Sequence, residues 1–132
     1  KGSKDNVKLG MAVLDQSYLV GKIVEVNYAT SRALLISDLN SKIPVGIEPG
    51  NIQSILTGTG RTNGKIEYLE SDISIEDKSI VYTSGSGGLF KPGIPIGTYR
   101  QETEESYEIV NFFSKLSQLT FVKLVSFDED KN

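Results

Sequence analysis

Apolar positions in this chain come in short runs with a period near two, broken every about 8–12 residues by Gly, Asn, Asp or Pro. The pattern predicts strands near 11–14, 19–27, 31–37, 43–48, 52–58, 65–70, 79–84, 94–101, 106–111 and 120–127. In Leu19-Val20-Gly21-Lys22-Ile23-Val24-Glu25-Val26 the alternation puts Leu19, Gly21 and Ile23 on one face. Ala33-Leu34-Leu35-Ile36 is a continuous apolar run and predicts a strand covered on both faces. Phe121, Lys123, Val125 and Phe127 alternate with polar or smaller residues, and the lysine makes that face a rim.

Turn chemistry falls between the runs. Asn63-Gly64 predicts a two-residue hairpin turn, because a type I′ turn needs positive φ at both central residues. Glu48-Pro49-Gly50-Asn51 and Lys91-Pro92-Gly93 place Pro and Gly as type II turns require. Asp15-Gln16-Ser17 and Asp38-Leu39-Asn40-Ser41 are suited to Asx turns. One stretch breaks the period of two: Tyr107, Val110, Phe113 and Ser117, or Ile109, Phe112, Phe113, Leu116 and Leu119, recur at helical spacing. A single helical turn near 112–119 reconciles that spacing with the strands on either side. The expected fold class is therefore all-β, in two small packed β-barrel-like lobes with at most this one helical turn. Lys8-Leu9-Gly10-Met11-Ala12-Val13 and Lys91-Pro92-Gly93-Ile94-Pro95-Ile96 echo one another as Gly-led strand starts, which suggests two related lobes. Their boundary is not marked in the sequence. Lobes of half this length are marginal alone and must pack on each other.

At 132 residues the chain can bury a real core, and its 38% hydrophobic and 23% charged fractions are those of a globular protein. The balance of 14 basic and 17 acidic side chains leaves no basic stripe for nucleic acid. No apolar run is long enough to span a bilayer, and no signal-like start is present. The opening Lys1-Gly2-Ser3-Lys4-Asp5 reads like the interior of a longer chain.

Candidate chemistry is sparse. The chain has no Cys and no His, so thiolate nucleophiles, thiolate metal sites and Ser-His-Asp or Cys-His arrangements are all excluded. Thr83-Ser84-Gly85-Ser86-Gly87-Gly88 lacks the Gly-Lys-Ser/Thr ending of a phosphate loop and reads as a tight turn with several positive-φ residues. Ser84 with Lys78 or Lys91 would need a desolvated lysine, which nothing in the sequence indicates. The carboxylates of Glu70-Ser71-Asp72, Glu76-Asp77 and Asp128-Glu129-Asp130 lack the spacing of a calcium loop. Glu102, Glu104, Glu105 and Glu108 make an acidic hairpin tip suited to solvent. The expectation is no catalytic residue, no metal and no cofactor. What remains is an interaction surface: Leu89 and Phe90, on the turn after the glycines, either plug a barrel mouth or anchor a partner. With Tyr99 they are the candidate protein-interaction residues.

An ordered series of segments resembles the rod shape-determining MreC family. It runs from Lys1-Gly2-Ser3-Lys4-Asp5 and Gly10-Met11-Ala12-Val13 through Leu19-Val20-Gly21-Lys22-Ile23 and Ser31-Arg32-Ala33-Leu34-Leu35-Ile36-Ser37-Asp38. It continues with Ile55-Leu56-Thr57-Gly58, Val81-Tyr82-Thr83-Ser84-Gly85-Ser86-Gly87-Gly88-Leu89-Phe90 and Gly93-Ile94-Pro95-Ile96-Gly97. The chain departs from the family at Asp77-Lys78, where Gly-Asp is usual, and at Phe90-Lys91-Pro92-Gly93, where Phe-Pro-x-Gly is usual. The resemblance implies a β-rich core, residues 1–132, of two small barrels distantly similar to trypsin-like proteases without their catalytic residues. It implies an N-terminal transmembrane helix in the inner membrane and a coiled coil, both outside this chain, with this core periplasmic or extracytoplasmic. It also implies a self-associating scaffold, dimer or filament, of the cell-elongation machinery that maintains rod shape. The implied partners are a class B penicillin-binding protein and, by way of the full-length protein, MreD, RodA, RodZ and MreB. A relic hydrolase of trypsin-like fold, or a β-barrel binding a small ligand or glycan, is the alternative.

Overall fold

A computed structural model of the chain describes residues 1–67, 74–101 and 108–126. Its strands are β1 (Ala12–Asp15), β2 (Tyr18–Val26), β3 (Ser31–Leu35), β4 (Lys42–Glu48) and β5 (Ile52–Gly58), then β6 (Asn63–Glu67), β7 (Ile80–Thr83), β8 (Pro95–Gln101), β9 (Glu108–Phe112) and β10 (Lys123–Val125). Each falls on a predicted run. The helical spacing condenses to one 3-10 turn, Leu116–Gln118. The end of the sixth predicted strand, the start of the ninth, Phe127 and the acidic residues 70–72 and 128–130 lie outside the described residues, as do Glu102, Glu104 and Glu105.

Strands β4-β5-β6-β9-β8-β7 close into an antiparallel barrel, and β10-β1-β2-β3 form an open antiparallel sheet. Two lobes are present, but only one is closed among the described residues. The chain leaves the sheet after β3, builds the whole barrel, and returns to lay β10 beside β1. Alternation fills the barrel: Ile43, Val45 and Ile47 of β4 point inward with Leu56, Ile66, Val81, Ile96, Tyr99 and Val110. Ala12, Leu14, Leu19 and Val125 join that cluster, so one face of the sheet packs on the barrel. The other face buries Val7, Val13, Val20 and Ile23 beneath Met11, Leu116, Leu119 and Leu124.

Several expectations fail locally, each for a physical reason. Leu19 and Ile23 lie in different clusters because β2 carries a bulge: Val13 pairs with Gly21 and Leu14 with Leu19, so Val20 is an extra residue that shifts the alternation. The run 33–36 is not a doubly covered strand. β3 is a sheet edge with Ala33 exposed, and only Ile36 (1% exposed) enters the core as the chain turns away. Asn63-Gly64 is not a turn; both residues belong to β6, and neither has positive φ. The loop before them turns at Gly60 (φ 80°), and the Thr59 hydroxyl closes it at 2.9 Å from the Asn63 carbonyl. Gly64 is needed for space: a Cβ there would stand 2.7 Å from Leu56 Cδ1 and 3.2 Å from the Phe112 ring. At Asp38 and in the two Pro-Gly segments the turn residues act as expected, whereas the Asp15 carboxylate takes the distant Ser114 hydroxyl. Gly50 and Gly93 take positive φ, and the Asp38 carboxylate accepts the Asn40 N–H at 2.8 Å. The echoed segments share one detail, φ 86° at both Gly10 and Gly93.

Candidate interaction surface

The glycine-rich segment is a braced loop. Gly85, Gly87 and Gly88 all have positive φ, and the Gly88 N–H closes a tight turn on the Gly85 carbonyl at 3.2 Å. Thr83, fully buried at the end of β7, donates its hydroxyl proton to the Lys91 carbonyl at 2.7 Å and accepts the Ile94 N–H at 2.9 Å. The Gly93 N–H adds a bond of 2.8 Å to the Thr83 carbonyl. One threonine therefore ties both arms of the excursion together. The Ser84 hydroxyl is spent inside the turn, accepting the Ser86 N–H at 3.2 Å.

This bracing separates the three expected contact residues. Phe90 is 3% exposed and Tyr99 1% exposed, both within the core cluster, so neither offers contact area to a partner. Phe90 is the plug; a loop with so little freedom cannot turn it outward without opening the core. Leu89, its neighbour, is 47% exposed. Leu89 stands over an open groove of about 460 Å³ floored by Pro44 and Ile55. Those two residues are the outward-facing cross-strand pair of β4 and β5, set there by the alternation that turns Ile43, Val45 and Leu56 inward.

The sheet offers a different kind of surface. A closed barrel has no edge, whereas β3 has one among the described residues. Ile36 donates to the Val20 carbonyl and Asn27 to the Thr30 carbonyl, so ladder alternation points the N–H groups of Ser31, Ala33 and Leu35 away from β2. Arg32 is held by Glu25 at 3.2 Å on the same edge. Exposed apolar residues unflagged by periodicity are Leu9, Tyr28 and Leu39, all in turns or irregular segments; Phe121, placed in the last predicted strand, lies before β10 and is 86% exposed.

Ionisable chemistry is modest. No group of three or more metal-ligating side chains exists among the described residues. On the barrel wall Tyr82 lies across Gly46, and its hydroxyl donates to Glu48 Oε1 at 2.8 Å. Partial burial, reinforced by the Glu48 carboxylate as hydrogen-bond acceptor and negative charge, raises the phenol above its ordinary value. Among the described residues no helix is long and apolar enough to cross a membrane.

Known proteins share both the sequence and the geometry. The family model for rod shape-determining protein MreC, barrel core, matches residues 1–126. A cell shape-determining protein MreC from Caulobacter vibrioides is 34% identical over 97% of the chain; this chain spans 37% of that relative's length. The crystal structure of MreC from Pseudomonas aeruginosa superposes with a TM-score of 0.83 at 30% identity, covering 96% of this chain and 85% of that one. The MreC of Helicobacter pylori, in a structure described as a complex with penicillin-binding protein PBP2, shares the fold at TM-score 0.63 and 15% identity, over 79% and 66% of the two chains. Ordered sequence match, closed barrel and attached sheet converge on one conclusion: the chain belongs to the rod shape-determining protein MreC family, of which it forms the barrel core.

Proposed function

We propose that this domain is a non-catalytic scaffold module of the bacterial cell-elongation machinery, held outside the inner membrane by an anchor and coiled coil beyond this chain. It binds a class B penicillin-binding protein and associates with further copies of itself. Membership of a shape-determining family carries the reading. Two relatives support its parts: the Helicobacter protein was seen in complex with a penicillin-binding protein, and another MreC is described as a cell shape-determining filament. Reach to MreD, RodA, RodZ and MreB belongs to the full-length protein. The residues fit binding better than turnover, because the grooves are shallow and floored by apolar side chains, with Leu89 as the side-chain anchor and β3 as a main-chain edge.

Co-purification of this domain with the extracytoplasmic part of a class B penicillin-binding protein from the same organism tests the reading. A stable or saturable complex is expected, together with concentration-dependent sedimentation of the domain alone. A domain that ignores the enzyme and stays monomeric at all concentrations would overturn it.

A further inference from the structure

Where the sheet meets the barrel a second groove, of about 490 Å³, runs between the end of β3, the β5–β6 loop and the segment after β9. Its apolar floor is Leu35, Phe112 and Leu116, each half-buried and therefore still offering surface. Its rim carries two exposed cations, Arg61 and Lys115, and the exposed Thr62. No acidic side chain among the described residues lines it. The ion pairs among the described residues are Arg32–Glu25 and Lys42–Glu67, so Arg61 and Lys115 have no carboxylate partner there. In a chain of net charge −3, the charged side chains that line the groove are both positive, over an apolar floor.

The walls come from both lobes, and the lobes are tied beside the groove. The Ser114 hydroxyl donates to Asp15 Oδ2 at 2.9 Å, and the Tyr18 and Phe113 rings meet at 4.9 Å between centroids. The groove is thus set to one width before anything enters, which lowers the ordering cost of binding.

We infer that this groove takes an acidic segment of the penicillin-binding partner, its carboxylates on Arg61 and Lys115 and an apolar side chain on Leu35, Phe112 and Leu116. The inference rests on the scaffold reading and gives it a specific site. Charge complementarity selects the occupant. A phosphate backbone would want a longer basic track and no apolar floor, whereas a short peptide with alternating acidic and apolar residues satisfies both parts of the groove. Arg61 supplies a planar fork for a bidentate carboxylate, and Lys115 a compact charge on a flexible stem.

The test uses the intact chain and the purified extracytoplasmic part of the same organism's class B penicillin-binding protein. Affinity is measured at low and high salt for the wild type, for Arg61→Glu with Lys115→Glu, and for Arg61→Gln with Lys115→Gln. Expected is wild-type binding that weakens with salt, a loss of about tenfold or more on charge reversal and a smaller loss on neutralisation. All three proteins should melt together, because both side chains are exposed. Reversal that leaves the affinity unchanged overturns the groove and spares the scaffold reading. Wild type that does not bind overturns both. Reversal that abolishes self-association but not enzyme binding makes the occupant a second copy and overturns the inference.

Discussion

The barrel and the sheet are built from the same residue types and joined in one core, yet they meet the outside in opposite ways. In the barrel every strand has two neighbours, and the backbone is spent on closure. What it can present is side chains on its wall and loops at its ends, such as Leu89. In the sheet β1 and much of β2 are covered on both faces, one by the barrel and one by Leu116, Leu119 and the N-terminal segment, but β3 is partly exposed and keeps a free edge among the described residues. Closure makes a rigid frame, and openness leaves a main-chain surface. A scaffold gains from having both, because a frame without an edge binds only through side chains, and an edge without a frame invites aggregation.

The largest test of this contrast lies at one pair of neighbours. Phe90→Ala should cost about 3–5 kcal/mol of stability, since it empties a core position. Leu89→Ala, one residue away on the exposed side, should stay within about 0.5 kcal/mol. Chemical denaturation of both variants decides it; equal losses would mean the loop is not braced as described. Next come two glycines facing neighbouring strands. An alanine at Gly97 would press on the Asn111 carbonyl inside the closed barrel, and one at Gly21 would stand 2.6 Å from the Leu34 carbonyl on the edge strand. Strand β3 can move outward, whereas β9 is held on both sides. Gly97→Ala should therefore cost about 1–3 kcal/mol, and Gly21→Ala clearly less. The reverse order would contradict the contrast between frame and edge.

The strands were legible in the sequence because each side of the barrel alternates, as Ile43, Val45 and Ile47 do. Closure and edges were not legible, because pairing partners lie far apart in the chain: β4 joins β7, and β1 joins β10. Asn63-Gly64 misled because its glycine answers to the space needed by Leu56 and Phe112, a demand set by tertiary packing. The Leu19–Ile23 face misled because a bulge has no sequence mark of its own. At the candidate site, the Leu89-Phe90 pair was visible as two large apolar residues after glycines. Which of them faces in depends on Thr83 binding Lys91 and Ile94, a long-range arrangement. The groove cations Arg61 and Lys115 sit 54 positions apart in sequence, as their numbers show, and carry no local signal.

Smaller effects sharpen the joint between the two regions. Ser114→Ala removes the bond to Asp15 and should cost about 1 kcal/mol, read as a shift in the denaturation midpoint. A stability equal to wild type would mean that packing alone sets the joint. The smallest effect is on the barrel wall. Tyr82 has a raised folded-state pKa, so its contribution is fully present below the unfolded value of about 10 and is lost as pH rises through the folded value. Tyr82→Phe should remove that alkaline component of the stability profile and leave neutral pH nearly unchanged. A profile that keeps the same alkaline slope would assign the component elsewhere.

Amide hydrogen exchange of the domain, free and in complex with the penicillin-binding protein, tests the central claim most directly. The barrel amides of β4, β5, β7 and β8 should be slow in both states, because they open only with the whole fold. The outward amides of Ala33 and Leu35, and those of residues 61–62 and 114–117, should be faster in the free domain and slow on binding. New protection confined to those segments and the loop at Leu89 is the predicted result. A confirmed complex that leaves them unchanged would contradict the account of a rigid barrel with its binding surface at the sheet, the groove and the loop.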